Sequence, residues 1–158
     1  MEKLKVLCID DQREVLAALR KDLEPLSAVC TFVECESAAE AEEVLADMER
    51  RGDHLALIIC DHIMPGKNGI DLLAELVQAG RFPNTKKLLL TGLATHEDTI
   101  YAINEAHIDR YVEKPWDATQ LQQSVKILLT TYLVRSGLDY QPYLDLLEQS
   151  VLHKERRG

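Results

Sequence analysis

The chain has 158 residues, of which 46% are hydrophobic, so it can bury the core of one domain and is short for two. With 27 acidic and 18 basic residues, its formal net charge is −9 at pH 7. This balance argues against direct binding of nucleic acid, which relies on clustered Lys and Arg, and we interpret the one basic run, residues 153–157, as a solvated chain end.

The cysteines and the first residues both indicate a reducing, non-membrane setting. No two cysteines form a Cys-x-x-Cys pair, so neither a zinc site nor a redox motif is indicated. Small buried thiols are predicted at Cys8, Cys30, Cys35 and Cys60. No signal peptide is recognisable, and no run approaches the ~20 apolar residues that span a bilayer. We expect a soluble, cytoplasmic protein without a membrane partner.

Short apolar runs of strand length alternate with amphipathic helical stretches. Residues 6–9 predict the first strand, and the helical apolar spacing that follows ends near Pro25. A second strand is predicted over residues 29–33. Ser37 then caps the second helix, and Glu40, three residues later, is expected to complete a capping box.

The alternation continues with residues 55–60, a continuously apolar run that is typical of a strand covered on both faces. Asn68 is predicted to cap a third helix, which Gly80 closes. A fourth strand is predicted at residues 88–90, and a fourth helix follows it. A fifth strand is predicted at residues 108–112, and Asp117 is predicted to cap the last helix. Five such βα units predict a parallel sheet with right-handed crossovers and helices on both faces.

Beyond Gly137 the pattern changes to a tail, in which Pro142 suits the first turn of an extra C-terminal helix. Its apolar positions follow a 4-3-4 spacing at Tyr140, Leu144, Leu147 and Val151. Two interpretations stay open: a helix packed on its own domain, or a dimerisation helix or connector. We divide the chain into a domain of residues 1–135 and a helical tail of residues 136–158.

Five polar residues stand where predicted strands end. Asp10 and Asp11 follow the first strand and Asp61 the third, while Thr91 and Lys114 end the fourth and fifth. Open α/β sheets build their sites at this carboxyl edge. Three crowded carboxylates need a cation or raised pKa values, and one lysine is not enough to neutralise them.

An all-oxygen, partly hydrated site of this kind suits Mg²⁺, which carboxylates and phosphate oxygens commonly hold. A carboxylate beside that metal can act as a nucleophile and form an acyl phosphate. The metal and Lys114 would supply the charge neutralisation that the transfer needs. Thr91 would donate its hydroxyl to a phosphoryl oxygen, and Gly92 would let a backbone N–H approach closely.

Over roughly residues 3–133 the chain resembles the receiver domains of bacterial response regulators. Four motifs carry the resemblance: Asp10-Asp11, Asp61-His62-Ile63-Met64-Pro65-Gly66, Thr91-Gly92 and Tyr111-Val112-Glu113-Lys114-Pro115-Trp116. A few extra residues between Asp11 and Asp61 are placed in a lengthened second helix. The resemblance implies a flavodoxin-like (βα)5 fold, α/β and doubly wound, with strand order 2-1-3-4-5.

The resemblance also assigns the metal site by position. Asp61 is implied to be the phosphoacceptor, and Mg²⁺ is implied to be the cofactor. Asp11 would bind the metal directly and Asp10 largely through water. Asp61 would be a third ligand, and Ile63 would contribute only its backbone carbonyl.

The remaining roles follow in the same way. Asp61, Thr91 and Lys114 form the implied catalytic set, with Lys114 contacting a phosphoryl oxygen. Thr91 and Tyr111 form the implied switch pair, in which Thr91 moves to the phosphoryl group and the Tyr111 ring turns inward. The Lys114–Pro115 peptide bond is expected to be cis.

Two apolar residues depart from the family's more common polar choices. Ile63 and Leu93 cannot hydrogen-bond an attacking water, and by resemblance these positions tune self-dephosphorylation. We therefore expect a long-lived phosphorylated state. His62, next to Asp61, is interpreted as a loop histidine without a role.

The implied function is a phosphorelay switch, not an enzyme. A sensor histidine kinase or phosphotransfer protein would supply the phosphoryl group, and an output domain or partner would respond. A homodimer is expected through the face of the fourth helix, fifth strand and fifth helix, including Ile100 and Tyr111, or through the C-terminal helix. The tail is too short for an output domain such as a cyclic-di-GMP phosphodiesterase or an ATP-driven transcription activator. We therefore expect either a truncated chain or a stand-alone receiver.

Two alternatives remain. A phosphohydrolase of the haloacid-dehalogenase type also uses an aspartate and Mg²⁺, but its Asp-x-Asp motif is missing, because the acids Asp10 and Asp11 are adjacent and Ile63 stands two residues after Asp61. A non-catalytic interaction module would keep the fold and ignore phosphate, which the complete set of polar residues argues against.

Overall fold

The computed structural model describes residues 2–92 and 96–146, except the side chains of residues 96, 98 and 144–146. Five parallel strands form one sheet in the order β2-β1-β3-β4-β5, which confirms the predicted order. The strands are β1 (Leu4–Ile9), β2 (Cys30–Cys35), β3 (Leu55–Asp61), β4 (Lys86–Thr91) and β5 (Arg110–Glu113). Among the described residues, no helix is both long and apolar enough to cross a membrane.

Helices connect the strands and cover both faces of the sheet. They are α1 (Arg13–Asp22), α2 (Ala38–Arg51), α3 (Gly69–Gln78), α4 (His96–Glu105) and α5 (Ala118–Ser136), with short 3-10 turns at Glu24–Leu26 and Gln141–Leu146. At 14 residues, α2 is longer than α1, α3 and α4, which have 10 each, in agreement with the extra residues placed in it.

Backbone hydrogen bonds explain two of the strand boundaries that the sequence misplaced. β5 begins at Arg110, two residues later than expected, because the N–H of Ile108 bonds back to Ala102 of α4. β2 runs to Cys35 because its pairing with β1 continues to that residue, past the end of the apolar pattern. Apolar periodicity marks buried positions, whereas the pairing of the backbone decides where a strand stops.

The helix caps follow the prediction closely. Ser37, Asn68 and Asp117 each accept a hydrogen bond from the backbone N–H three residues later, at 3.1, 2.8 and 3.0 Å. Gly80 closes α3 with a φ of +66°. The predicted capping box is wrong in one detail: the Glu40 carboxylate accepts from the N–H of the residue before Ser37, at 3.1 Å.

Two apolar cores lie on the two faces of the sheet, one under α1 and α5 and one under α2, α3 and α4. Every residue of β3, the central strand, is buried, as the continuous apolar run predicts. All four cysteines are buried free thiols. Burial raises the pKa of Cys8, Cys30 and Cys35 to about 12, so these groups stay protonated and unreactive at neutral pH.

The tail packs back on the domain as far as the structure describes its side chains. Leu138 and Tyr140 pack against the core under α1 and α5, and Tyr143, only 6% exposed, donates its hydroxyl to the carbonyl of Glu2. The expected extra helix begins as a 3-10 turn at Gln141–Leu146. The side chain of Leu144 and the positions Leu147, Val151 and 153–157 lie outside the described residues, and the division at residue 135 stays a prediction.

Candidate functional site

The sheet brings three carboxylates together at its carboxyl edge. β1 and β3 are neighbours in register, with Ile9 beside Cys60, so the residues that come next stand side by side. One oxygen each from Asp10, Asp11 and Asp61 lies within 4.8 Å of the other two. Asp10 is fully buried and Asp61 is 6% exposed, whereas Asp11 faces solvent.

Lys114 reaches this group from the far side of β4. Its backbone N–H donates to the carbonyl of Thr91 across 3.0 Å, which continues the pairing of β4 and β5. Its Nζ atom donates to Oδ2 of Asp10 and to Oδ1 of Asp61, both at 2.9 Å. The Lys114–Pro115 peptide bond is cis, as expected.

The charges of this cluster are only partly balanced. Burial raises the pKa of Asp61 above its ordinary value; the hydrogen bond from Lys114 opposes this effect, and the neighbouring Asp10 and Asp11 reinforce it. For Lys114, burial lowers the pKa, but the hydrogen bonds to Asp10 and Asp61 outweigh it and raise the pKa overall. One ammonium group therefore faces three carboxylates. Such a set of hard oxygen donors with excess negative charge fits a divalent cation such as Mg²⁺.

Thr91, the last residue of β4, faces the same edge. It is 4% exposed, and its hydroxyl has no hydrogen-bond partner in the described part of the chain. A buried hydroxyl without a partner costs about 1–3 kcal/mol, so this group is suited to meet a further acceptor. Next to it, a Cβ added to Gly92 would meet no atom within 4 Å, so no contact in the described part of the chain requires glycine there.

Tyr111 lies on the same side of the sheet as Thr91. It pairs in register with Leu89, two residues before Thr91, and paired residues of neighbouring strands point the same way. Its ring is half-buried, and its hydroxyl donates to the backbone carbonyl of Thr99 on α4 at 3.1 Å. Burial raises the pKa of this phenol, so it remains a neutral donor. The bond ties the side chain to α4.

An open cleft of about 520 Å³ lies above the carboxylates. It is lined by Asp11, Gln12, Asp61, Ile63, Gly92 and Lys114. The Ile63 side chain is 65% exposed and adds no polar group to the cleft. Leu93, the other predicted tuning position, lies outside the described residues.

Three supporting residues were not assigned a role from the sequence. The N–H of Gln12 donates to Oδ1 of Asp10 at 2.9 Å. A Cβ on Gly69 would stand 2.0 Å from the backbone oxygen of Asp61, so only glycine fits there. His62 lies in the loop after β3, as interpreted from the sequence, but it is buried at 4% exposure, and its Nδ1 has no partner among the described residues. In the sequence, Gly69 at the first position of α3 was the one sign that this helix closely approaches the backbone of Asp61.

Comparisons with known proteins agree on one family. The model of the response regulator receiver domain matches residues 6–126. The hydrogenase transcriptional regulatory protein HoxA of Bradyrhizobium diazoefficiens is 30% identical over 128 residues, which are 80% of this chain and 24% of that protein. The chemotaxis protein CheY1 of Helicobacter pylori is 26% identical over 129 residues, which are 81% of this chain and 98% of that protein.

A solved structure agrees as well. The signal receiver domain of an HD domain-containing protein from Pseudomonas fluorescens is 30% identical, with a TM-score of 0.73, over 83% of this chain and 98% of that one. The aligned region spans only about a quarter of the HoxA proteins, at 24% and 23% of their lengths. Sequence match, strand order and structural similarity together place the chain in the receiver-domain family of the response regulators of two-component signal transduction.

Proposed function

We propose that this receiver domain is a switch in which Asp61 accepts a phosphoryl group from a sensor histidine kinase or phosphotransfer protein. The observation that carries the proposal is the position of the Lys114 ammonium, 2.9 Å from both Asp61 and Asp10. This ammonium group partly neutralises the negative charge around Asp61, the buried nucleophile of the proposal. The unpartnered hydroxyl of Thr91 at the same edge supports it.

The metal-binding set consists of Asp10, Asp11, Asp61 and the backbone carbonyl of Ile63. All four supply the hard oxygen ligands that Mg²⁺ takes, and the carboxylates carry more negative charge than Lys114 balances. Bound there, Mg²⁺ would offset this charge and polarise the phosphoryl oxygens.

In the reaction itself, a carboxylate oxygen of Asp61 attacks the phosphorus of a phosphohistidine. An O–P bond forms as the donor's N–P bond breaks, and its electron pair returns to the imidazole. Lys114 and Thr91 donate hydrogen bonds to the phosphoryl oxygens. As Thr91 turns to the phosphoryl group, Tyr111 gives up its bond to the carbonyl of Thr99 and turns inward, which changes the surface at α4.

The output surface in this proposal is the face of α4, β5 and α5. Ile100 and Ile103 are 48% and 51% exposed on α4, and Tyr111 on β5 is bonded to the carbonyl of Thr99 on the same helix. This face would bind a partner or a second copy of the chain, or the C-terminal helix would form the dimer contact instead. The negative net charge speaks against direct contact of this segment with nucleic acid.

Beryllofluoride, which mimics a phosphoryl group on a carboxylate, tests the proposal together with Mg²⁺. Trp116 is the one tryptophan of the chain and lies two residues after Lys114, so its fluorescence should change on binding. The change should disappear in Asp61→Asn and on chelation of Mg²⁺. No response in the wild-type protein would favour an interaction module that keeps only the fold. Sustained turnover of a small phosphoester would favour a phosphohydrolase.

A further inference from the structure

The loop that carries Lys114 is fastened to the far end of α1. The indole N–H of Trp116 donates to Oδ2 of Asp22 across 2.8 Å. The side-chain amide of Gln122 donates to the backbone carbonyl of the same residue across 2.7 Å. Asp22 is the last residue of α1. Through these two bonds it contacts both the loop between β5 and α5 and the first turns of α5.

The position of Asp22 is unfavourable for a carboxylate on local grounds. The negative end of the helix macrodipole lies at the last turn, where cations are preferred. Arg20 and Lys21 follow that preference, and Asp22 does not. An acid at this position is therefore better explained by its partner, Trp116, whose ring is half-buried against the core under α1 and α5.

The other end of α1 begins at the acid pair. The N–H of Gln12, the N-cap of α1, donates to Oδ1 of Asp10 at 2.9 Å. One rigid helix thus has the carboxylates at its start and the anchor of the lysine loop at its end. We propose that Asp22 is a positioning residue, acting through Trp116, that sets where the Lys114 ammonium stands relative to Asp10 and Asp61. This inference rests on the proposed function.

Within the loop, the hydrogen bond to Asp22 is the fixed point nearest to Lys114 on its carboxyl side. Asp117, the next residue after Trp116, is already the N-cap of α5. On the other side, Lys114 is held through its N–H by Thr91. If the Trp116 bond is lost, the lysine keeps its strand anchor and loses the restraint on the following turn. The fold should therefore survive, while the ammonium group is positioned only by the strand anchor and by its own bonds to Asp10 and Asp61.

The test compares variants of the full chain by the Mg²⁺-dependent affinity for beryllofluoride, measured by calorimetry. Asp22→Leu removes the acceptor, and Trp116→Phe keeps an aromatic ring and removes the donor. Each should weaken binding about fivefold, and the double variant should be no weaker than either single one. Asp22→Asn, which keeps an acceptor oxygen, should bind like the wild type. Glu24→Gln, which removes an exposed charge two residues later, is the matched control and should also bind like the wild type.

A second measurement reports on the contact without any ligand. Acrylamide should quench Trp116 more strongly in Asp22→Leu than in Asp22→Asn. The assignment would be overturned if Asp22→Leu and Trp116→Phe bound beryllofluoride with wild-type affinity, or if their losses of affinity multiplied in the double variant. Unchanged acrylamide quenching in Asp22→Leu would overturn it as well. A wild-type protein that fails to bind beryllofluoride would instead overturn the proposed function itself.

Discussion

The Nζ atom of Lys114 and Oδ1 of Asp61 form a 2.9 Å hydrogen bond between residues that are 53 positions apart in the chain. The second bond of the same ammonium, to Asp10, joins residues 104 positions apart. These contacts exist only because β5, β3 and β1 end at one edge of the sheet. They make the electrostatics of Asp61 a property of the whole fold, and they lead to specific expectations.

Asp61→Asn should stabilise the folded protein at neutral pH. Burial raises the pKa of Asp61, so folding favours its protonated form. The contribution of Asp61 to the stability of the folded protein is therefore fully present below the ordinary carboxyl pKa, and it is lost as pH rises through the raised pKa of Asp61. We expect the variant to gain about 0.5–2 kcal/mol at pH 7, the usual range for one stabilising substitution. Urea unfolding at several pH values measures this; the gain should shrink toward pH 4, and a constant or opposite difference would contradict it.

Lys114→Gln should destabilise the protein more without Mg²⁺ than with it. The substitution removes the ammonium that is bonded to both Asp10 and Asp61, and the carboxylates then repel one another. A loss of about 1–3 kcal/mol is expected in chelator, the cost of leaving buried charged groups unpaired. Thermal unfolding with and without Mg²⁺ measures the difference, and equal losses in both conditions would show that no cation compensates at this site.

Gly69→Ala should damage the site as well as the fold. The added Cβ would stand 2.0 Å from the Asp61 carbonyl oxygen and 2.8 Å from Cys60 Sγ, so the backbone of Asp61 must shift. We expect a loss of about 1–3 kcal/mol, typical of overpacking, together with weaker binding of beryllofluoride.

The control for this substitution is Gly52→Ala, at the end of α2. Its φ is +69° and a Cβ there meets nothing within 4 Å, so it costs stability through backbone conformation alone, about 1–2 kcal/mol. Its beryllofluoride affinity should equal that of the wild type. If Gly69→Ala also keeps wild-type affinity, the close approach of α3 to Asp61 has no bearing on the site.

Ile63→Asn and Leu93→Glu should speed the loss of phosphate from Asp61. The exposed Ile63 side chain lines the cleft and has no group that can position a water, whereas the polar substitutes do. One added hydrogen bond to the attacking water corresponds to an acceleration of about tenfold. Decay of the phosphorylated protein after removal of a small phosphodonor gives the rate, and unchanged rates in both variants would contradict a long-lived state set by these positions.

Tyr143→Ala should destabilise the domain although it lies beyond the region of the family match. Its ring is buried, and its hydroxyl bonds to the carbonyl of Glu2. We expect a loss of about 2–4 kcal/mol for the lost aromatic packing, and about 0.5–1.5 kcal/mol for Tyr143→Phe, which removes only the hydroxyl. Equilibrium unfolding in urea measures both. Wild-type stability of Tyr143→Ala would mean that the packing of this tail segment on the core does not stabilise the domain.

Local sequence patterns were sufficient to predict the helices and strands and the types of residue at their ends. The apolar run of β3 and the caps Ser37, Asn68 and Asp117 depend on neighbours within a few positions, so periodicity and capping chemistry predict them. The strand order required the resemblance, because nothing local in β1 or β2 states which strands lie side by side.

Only the tertiary structure decided the contacts that depend on distant parts of the chain. It placed the carbonyl of Asp61 against Gly69, turned His62 into the interior, and joined Trp116 to Asp22, 94 positions away. It also packed the start of the tail onto the core at Tyr143, whereas Leu147 and Val151 of the 4-3-4 spacing lie outside the described residues. The sequence by itself determined which groups stand at the strand ends, because side-chain type and spacing are local; packing determined how they meet, because distance in space is not encoded in any one segment.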